Sequence, residues 1–161
     1  MVNTRASENG VVLSFSFKST LLISAGVIAS ASAIWHVLCI IGGPGWFIFA
    51  RAPQQIIESA QQGTMLAPFG TIIIATLMFA CTMFAFSAVG LIRKVPLLKS
   101  ALITIATLCI LRALLGITSL TVSIGFDIWQ FVASSVWLYV GMCFAIGSLE
   151  QYRQGKLNSS S

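Results

Sequence analysis

Between Lys99 and Ser123 runs an apolar stretch, Ser100–Val122, that holds a single charge, Arg112. Its 23 residues, at about 1.5 Å each as a helix, are enough to cross a hydrocarbon core roughly 30 Å thick. Arg112 sits about ten residues, or roughly 15 Å, from either end, too deep for its stem to carry the guanidinium comfortably to an interface. A charge at that depth costs on the order of 3 kcal/mol by insertion scales. Arg112 is therefore expected to face protein, and this span to be the buried one that the others surround. On a helix, Ala101, Ile105, Leu108, Gly116 and Ser119 fall within about 40° of Arg112. The small residues among them would let a neighbouring helix come close.

Three further apolar runs, at about 20–41, 71–92 and 128–149, have spanning length. The expected fold is all-α: an antiparallel four-helix transmembrane bundle in one membrane domain, with a long outer loop over 42–70 and tails at 1–17 and 150–161. Composition agrees, since 57% of the 161 residues are apolar and only 8% charged, where a soluble domain would carry about 25% charged residues. That leaves no separate soluble domain. The net charge of +5 does not argue for nucleic acid, because the basic residues cluster just outside the spans, as membrane topology demands.

In the first span, Ala29-Ser30-Ala31-Ser32-Ala33 has the look of a small-residue cleavage site behind a signal sequence. The apolar run continues to Ile41, which favours a spanning helix. Ala25, Ala29, Ser32, His36, Cys39 and Gly43 follow a heptad-like stripe that is small or polar and should face the bundle. Gly42-Gly43-Pro44-Gly45 stops this helix. Trp46-Phe47-Ile48-Phe49 is too apolar for a free loop and should lie at headgroup level. Pro53 can open a short helix to Gln62, stopped by Gly63, with Ile56, Ile57 and Ala60 on one face. This reads as a surface helix across one mouth of the bundle. Residues before Phe17 and after Leu149 are expected to be mobile tails, Val11–Phe17 lying on the membrane surface; the Asn158-Ser159-Ser160 glycosylation triplet would have no role on a cytosolic tail.

With four spans, the N-terminus, the second loop and the C-terminus share a side. They hold Arg5, Lys18, Arg93, Lys94, Lys99, Arg153 and Lys156, against Arg51 alone on the other side. This asymmetry predicts cytoplasmic termini, with Trp46 and Trp129 marking the outer interface. The short links at 93–99 and 123–127 make consecutive helices antiparallel neighbours.

Depth alignment puts Arg112 level with Cys81, Thr82 and Tyr139, and the backward lean of helical side chains brings Ser87 near. Asp127, Glu58, Glu8 and Glu150 all fall outside this depth, so the expected partners of Arg112 are carbonyls, hydroxyls and the Tyr139 ring. The candidate ligand residues are Arg112, His36, Tyr139, Thr82 and Trp46; an internal structural clamp is the competing role for Arg112, as a hydrogen-bonded interior histidine is for His36. His36 with Cys39 one turn away makes a poor metal site, since no second histidine supports it. Cys39, Cys81, Cys109 and Cys143 fall one to each apolar segment, with no CxxC, and read as small apolar residues. No GxSxG, HExxH, phosphate-cradling glycine loop or paired carboxylates at membrane depth occurs. The reading is a non-enzymatic multi-pass membrane protein without cofactor or metal, binding a small ligand or a membrane-protein partner. The alternative is a small oligomeric transporter or channel with an anion site at Arg112. Its surroundings are the lipid bilayer, with a second copy or another membrane protein as associate and no nucleic acid.

Trp35-His36 followed by Gly42-Gly43, then Ala52-Pro53 and Ala67-Pro68, resembles small bacterial four-helix membrane proteins of unassigned function. The likeness covers roughly the first half of the chain. It implies a bacterial inner membrane and supplies neither substrate nor catalytic residue.

Overall fold

A computed structural model describes the backbone of residues 4–93, 95–122 and 128–158, and the side-chain surroundings of 17–93, 95–118 and 128–153. Lys94, the link at 123–127 and the serines of the Asn158-Ser159-Ser160 triplet lie outside the described residues, as do the surroundings of Arg5, Glu8, Ser119 and Lys156. The described backbone forms α1 (Thr4–Gly42), α2 (Pro44–Phe49), α3 (Gln54–Gln61), α4 (Leu66–Ala88), α5 (Leu98–Val122) and α6 (Ile128–Asn158), with no strand among these residues. Four stretches are long and apolar enough to cross a membrane: Phe17–Gly42, Leu66–Ala88, Leu98–Thr118 and Ile128–Arg153.

The two expected tails are instead helical extensions. α1 starts at Thr4 and α6 runs to Asn158, because neither segment contains a proline to interrupt a ladder its span has already nucleated. The second span also shifts. α4 begins at Leu66, with Pro68 in its first turn, where a missing N–H costs no helical bond. It ends at Ala88, ahead of Gly90 at φ 80°.

The chain divides into two compact units, one formed by Met1–Gly26 with Met83–Ser161 and the other by Val27–Thr82. In the first, α5 and α6 pack antiparallel: a Cβ added to Gly141 would meet Ile110 and Cys109, and one added to Gly116 would meet Ser134 and Gln130. Glycines at both contacts remove the side chains that would hold the backbones apart, so close van der Waals packing can supply the association that water cannot drive in lipid. The buried stripe of α5 is Leu102, Ala106, Cys109, Ala113 and Gly116, and α6 answers with Ser134, Val140, Cys143 and Phe144. At one end Lys18 Nζ pairs with Glu150 Oε2 at 2.7 Å, and Gln151 Nε2 donates to Ala88 O at 3.1 Å. That bond satisfies one of the carbonyls left open at the end of α4. Ser87 Oγ donates to Arg93 O at 3.2 Å and accepts from Val95 N at 2.9 Å, pinning the turn into α5. The hydroxyl expected near Arg112 is thus committed to the loop.

The expectation that α5 is the most buried span is not met. α5 is buried to about the same extent as α1 and α6.

In the second unit, Gly43 at φ 72° ends α1 and Pro44 opens α2. Pro53 caps α3, and Gly63 at φ 67° closes it. Thr64 N bonds Ser59 O at 2.9 Å and Gly63 N bonds Ala60 O at 3.4 Å, the paired closure of a Schellman motif. Buried Ser59 then accepts from Ala67 N at 2.8 Å and shares a 2.7 Å bond with Thr64 Oγ1. One hydroxyl so ties the end of α3 to the first turn of α4. Ile56, Ile57 and Ala60 pack on a core of Cys39, Phe47 and Ala67, while Gln54 bonds Glu58 on the exposed side. The amphipathic reading of α3 holds.

Candidate functional site

The polar atoms that converge in the first unit do so over Gly116. The position its Cβ would take lies 2.9 Å from Arg112 Nη1 and 2.8 Å from Gln130 Nε2, with Ser134 Oγ nearer still. Gly116 is one turn after Arg112 on α5, and Gln130 and Ser134 are one turn apart on α6. The bare backbone at Gly116 is therefore what gives three polar groups a common space. Ser134 is fully buried, and its Oγ has no hydrogen-bond partner among the described residues. A buried unsatisfied hydroxyl costs about 1–3 kcal/mol. Such a group calls for an explanation, and a ligand oxygen is one.

Arg112 departs from expectation. It is exposed rather than enclosed, and the buried stripe of α5 runs beside it, through Ala113 and Gly116. Its guanidinium also lies toward Gly116, one turn toward the C-terminal end, not back toward Ser87. The reason is local: in that direction Gly116 presents no side chain and Gln130 and Ser134 make the surroundings polar, whereas Leu108 stands one turn before. No carboxylate among the described residues pairs with it.

Tyr139 does not contact this cluster. Ser24 Oγ donates to Leu21 O at 2.8 Å, so at the 2.8 Å Ser24–Tyr139 contact the phenol is the donor, joining α6 to α1. The other three candidates belong to the second unit. His36 is half-buried, and its Nδ1 donates to Ser32 O at 2.7 Å; a carbonyl can only accept, which leaves Nε2 as the open nitrogen. Thr82 is buried and donates to Met78 O at 3.3 Å within its own helix. Trp46 lies over Gly42 and tilts on Trp35 at a centroid distance of 5.6 Å. With Gly45 and Phe49, these two indoles line an open cleft of about 300 Å³. The four cysteines are free thiols, Cys39, Cys109 and Cys143 buried.

Gln130 and Ser134 are the residues that sequence reasoning missed. Their signal was present as two polar side chains at i, i+4 in the first turns of an apolar span, opposite the glycine that follows Arg112 by one turn. No family model, curated protein or solved structure matches the chain.

Proposed function

We propose that the chain is a non-enzymatic, multi-pass integral membrane protein that binds an oxyanion-bearing small ligand at Arg112, Gln130 and Ser134. The observation that carries this reading is the buried Ser134 hydroxyl, without a hydrogen-bond partner among the described residues, set beside an amide and a cation that pairs with no carboxylate among them. All three can donate to oxygen, and the cation supplies the charge-assisted bond that makes such binding strong.

The surrounding architecture in this proposal is an antiparallel four-helix bundle in a bacterial inner membrane, with both chain ends cytoplasmic, like the small membrane proteins it resembles. The antiparallel α5–α6 register and the Lys18–Glu150 and Gln151–Ala88 contacts support it, as does the seven-to-one bias of basic residues. Impermeant labelling of single cysteines at Ser160 and Arg51 from either face tests the topology; reaction of the first from the periplasm refutes it.

For the site, melting midpoints in neutral detergent are measured across acetate, phosphate and laurate. At least one should stabilise the parent and not Arg112→Leu. No shift with any of them, or a shift that survives Arg112→Leu, removes the reading. The second reading, anion transport by an oligomer, is favoured by the exposure of Arg112. It requires anion flux in proteoliposomes that Arg112→Leu abolishes.

A further inference from the structure

We infer that the ligand of the Arg112 site is a long-chain carboxylate taken up from the bilayer, its headgroup over Gly116 and its tail along α5. This rests on the oxyanion reading above and narrows it. The first ground is position. Arg112 lies about 15 Å of helix from Val122, within a span whose exposed residues next to it, Leu108, Leu111, Leu114 and Leu115, are apolar. Its guanidinium reaches Gly116 and Gln130, the latter in the first turn of α6. An amphiphile can therefore set its headgroup near the end of the spans and run its tail inward along α5, whereas a free aqueous ion gains no apolar contact there.

The second ground is what flanks the open side of Arg112. Leu108, Leu111 and Leu115 are 60%, 50% and 60% exposed. The first and last stand one turn before and after Arg112, and Leu111 precedes it directly. An acyl chain laid on these side chains keeps its apolar contacts while its headgroup leaves the lipid.

The third ground is charge and shape. A carboxylate neutralises the one cation of the cluster and can take two parallel bonds from a guanidinium. Its oxygens have acceptor capacity left for Gln130 Nε2 and for the Ser134 hydroxyl, which then gains the partner it lacks. A diacyl phospholipid fits less well. Its phosphate is flanked by glycerol and a second chain. An alcohol of equal length offers no charge.

The test uses the full-length protein in neutral detergent at mildly alkaline pH, with a diazirine-bearing palmitate as probe and peptide mapping as readout. Labelling should concentrate on the α5 segment from Leu108 to Leu115 and be competed by laurate, not by dodecanol or acetate. Arg112→Leu should lower it about tenfold or more, the loss of a charge-assisted bond. Ser134→Ala, which removes only a hydroxyl and keeps the packing, should lower it severalfold. Label spread evenly over all spans, or competition by dodecanol equal to that by laurate, overturns the inference. Competition by acetate equal to that by laurate overturns the tail while leaving the oxyanion reading in place. If laurate, acetate and phosphate neither compete nor stabilise, both fall together. Capture of a second protein at Leu108–Leu115 instead of the probe would mean that a partner helix covers the face, and also refutes the proposal.

Discussion

Replacing Gly116 by alanine probes the contact on which the site is built. The added methyl would fall within the space of Ser134 Oγ and at 2.8 and 2.9 Å from Gln130 Nε2 and Arg112 Nη1. The two nitrogens end long, flexible side chains and can retreat by the few tenths of an ångström required. The serine oxygen cannot; it must leave its rotamer within a packed interface, and overpacking of this kind costs about 1–3 kcal/mol. Against that, alanine gains up to about 1 kcal/mol over glycine in a helix interior. The net expectation is a loss of up to roughly 2 kcal/mol. In a Ser134→Ala background the main obstacle is gone and the helix-propensity gain remains. There the same change should be neutral or stabilising by up to about 1 kcal/mol. Reversible unfolding of the four proteins in mixed micelles, analysed as a double-mutant cycle, measures the coupling. Effects of Gly116→Ala that agree within about 0.5 kcal/mol in the two backgrounds would mean that the sites are independent. The α5–α6 contact over Gly116 would then be wrong.

Ser134→Ala alone should raise stability by about 1 kcal/mol in ligand-free protein, since it deletes an unsatisfied buried hydroxyl; a loss of similar size in the same unfolding assay would show that the oxygen has a partner. Ser59→Ala removes the acceptor for Ala67 N and the bond to Thr64 and should cost about 1–3 kcal/mol, with hydrogen exchange rising first at the start of α4. Gly43→Ala meets no neighbour but must hold φ 72°, so it should cost about 1 kcal/mol. Gly45→Ala, with equal space and no positive φ, should be silent in the same thermal assay. For Ser87→Ala, loss of the bonds to Arg93 O and Val95 N should bring proteolysis at Arg93 severalfold faster; unchanged cleavage would assign the order of that link to other contacts.

The breaks in the second unit were legible in the sequence because their signals are local: Gly43, Pro44, Pro53 and Gly63 each fix their own backbone, and α3 falls between two of them. α2 was not legible, since 42–70 reads as a loop holding one short helix, and only the structure makes Pro44–Phe49 a second one. The amphipathic face of α3 followed from spacing for the same reason. Helix ends were harder. Polarity at 4–16 and 150–158 signals where the lipid stops, but a helix leaving the membrane need not stop with it.

The environment of Arg112 was the least legible part. Sequence alone established that a cation sits deep in an apolar span with no carboxylate at its level, which follows from counting residues along a helix. It could not establish which way a flexible side chain turns. That depended on where α6 places Gln130 and Ser134 relative to an empty Gly116, a contact between residues 18 positions apart in the chain. Tyr139 shows the same limit: the register across α5 and α6 put it level with Arg112, yet rotation about the α6 axis sends its hydroxyl to Ser24. Periodicity along one chain fixes depth and composition, because both are properties of a single helix. Which polar groups meet is a property of a pair of helices, and only their packing decides it.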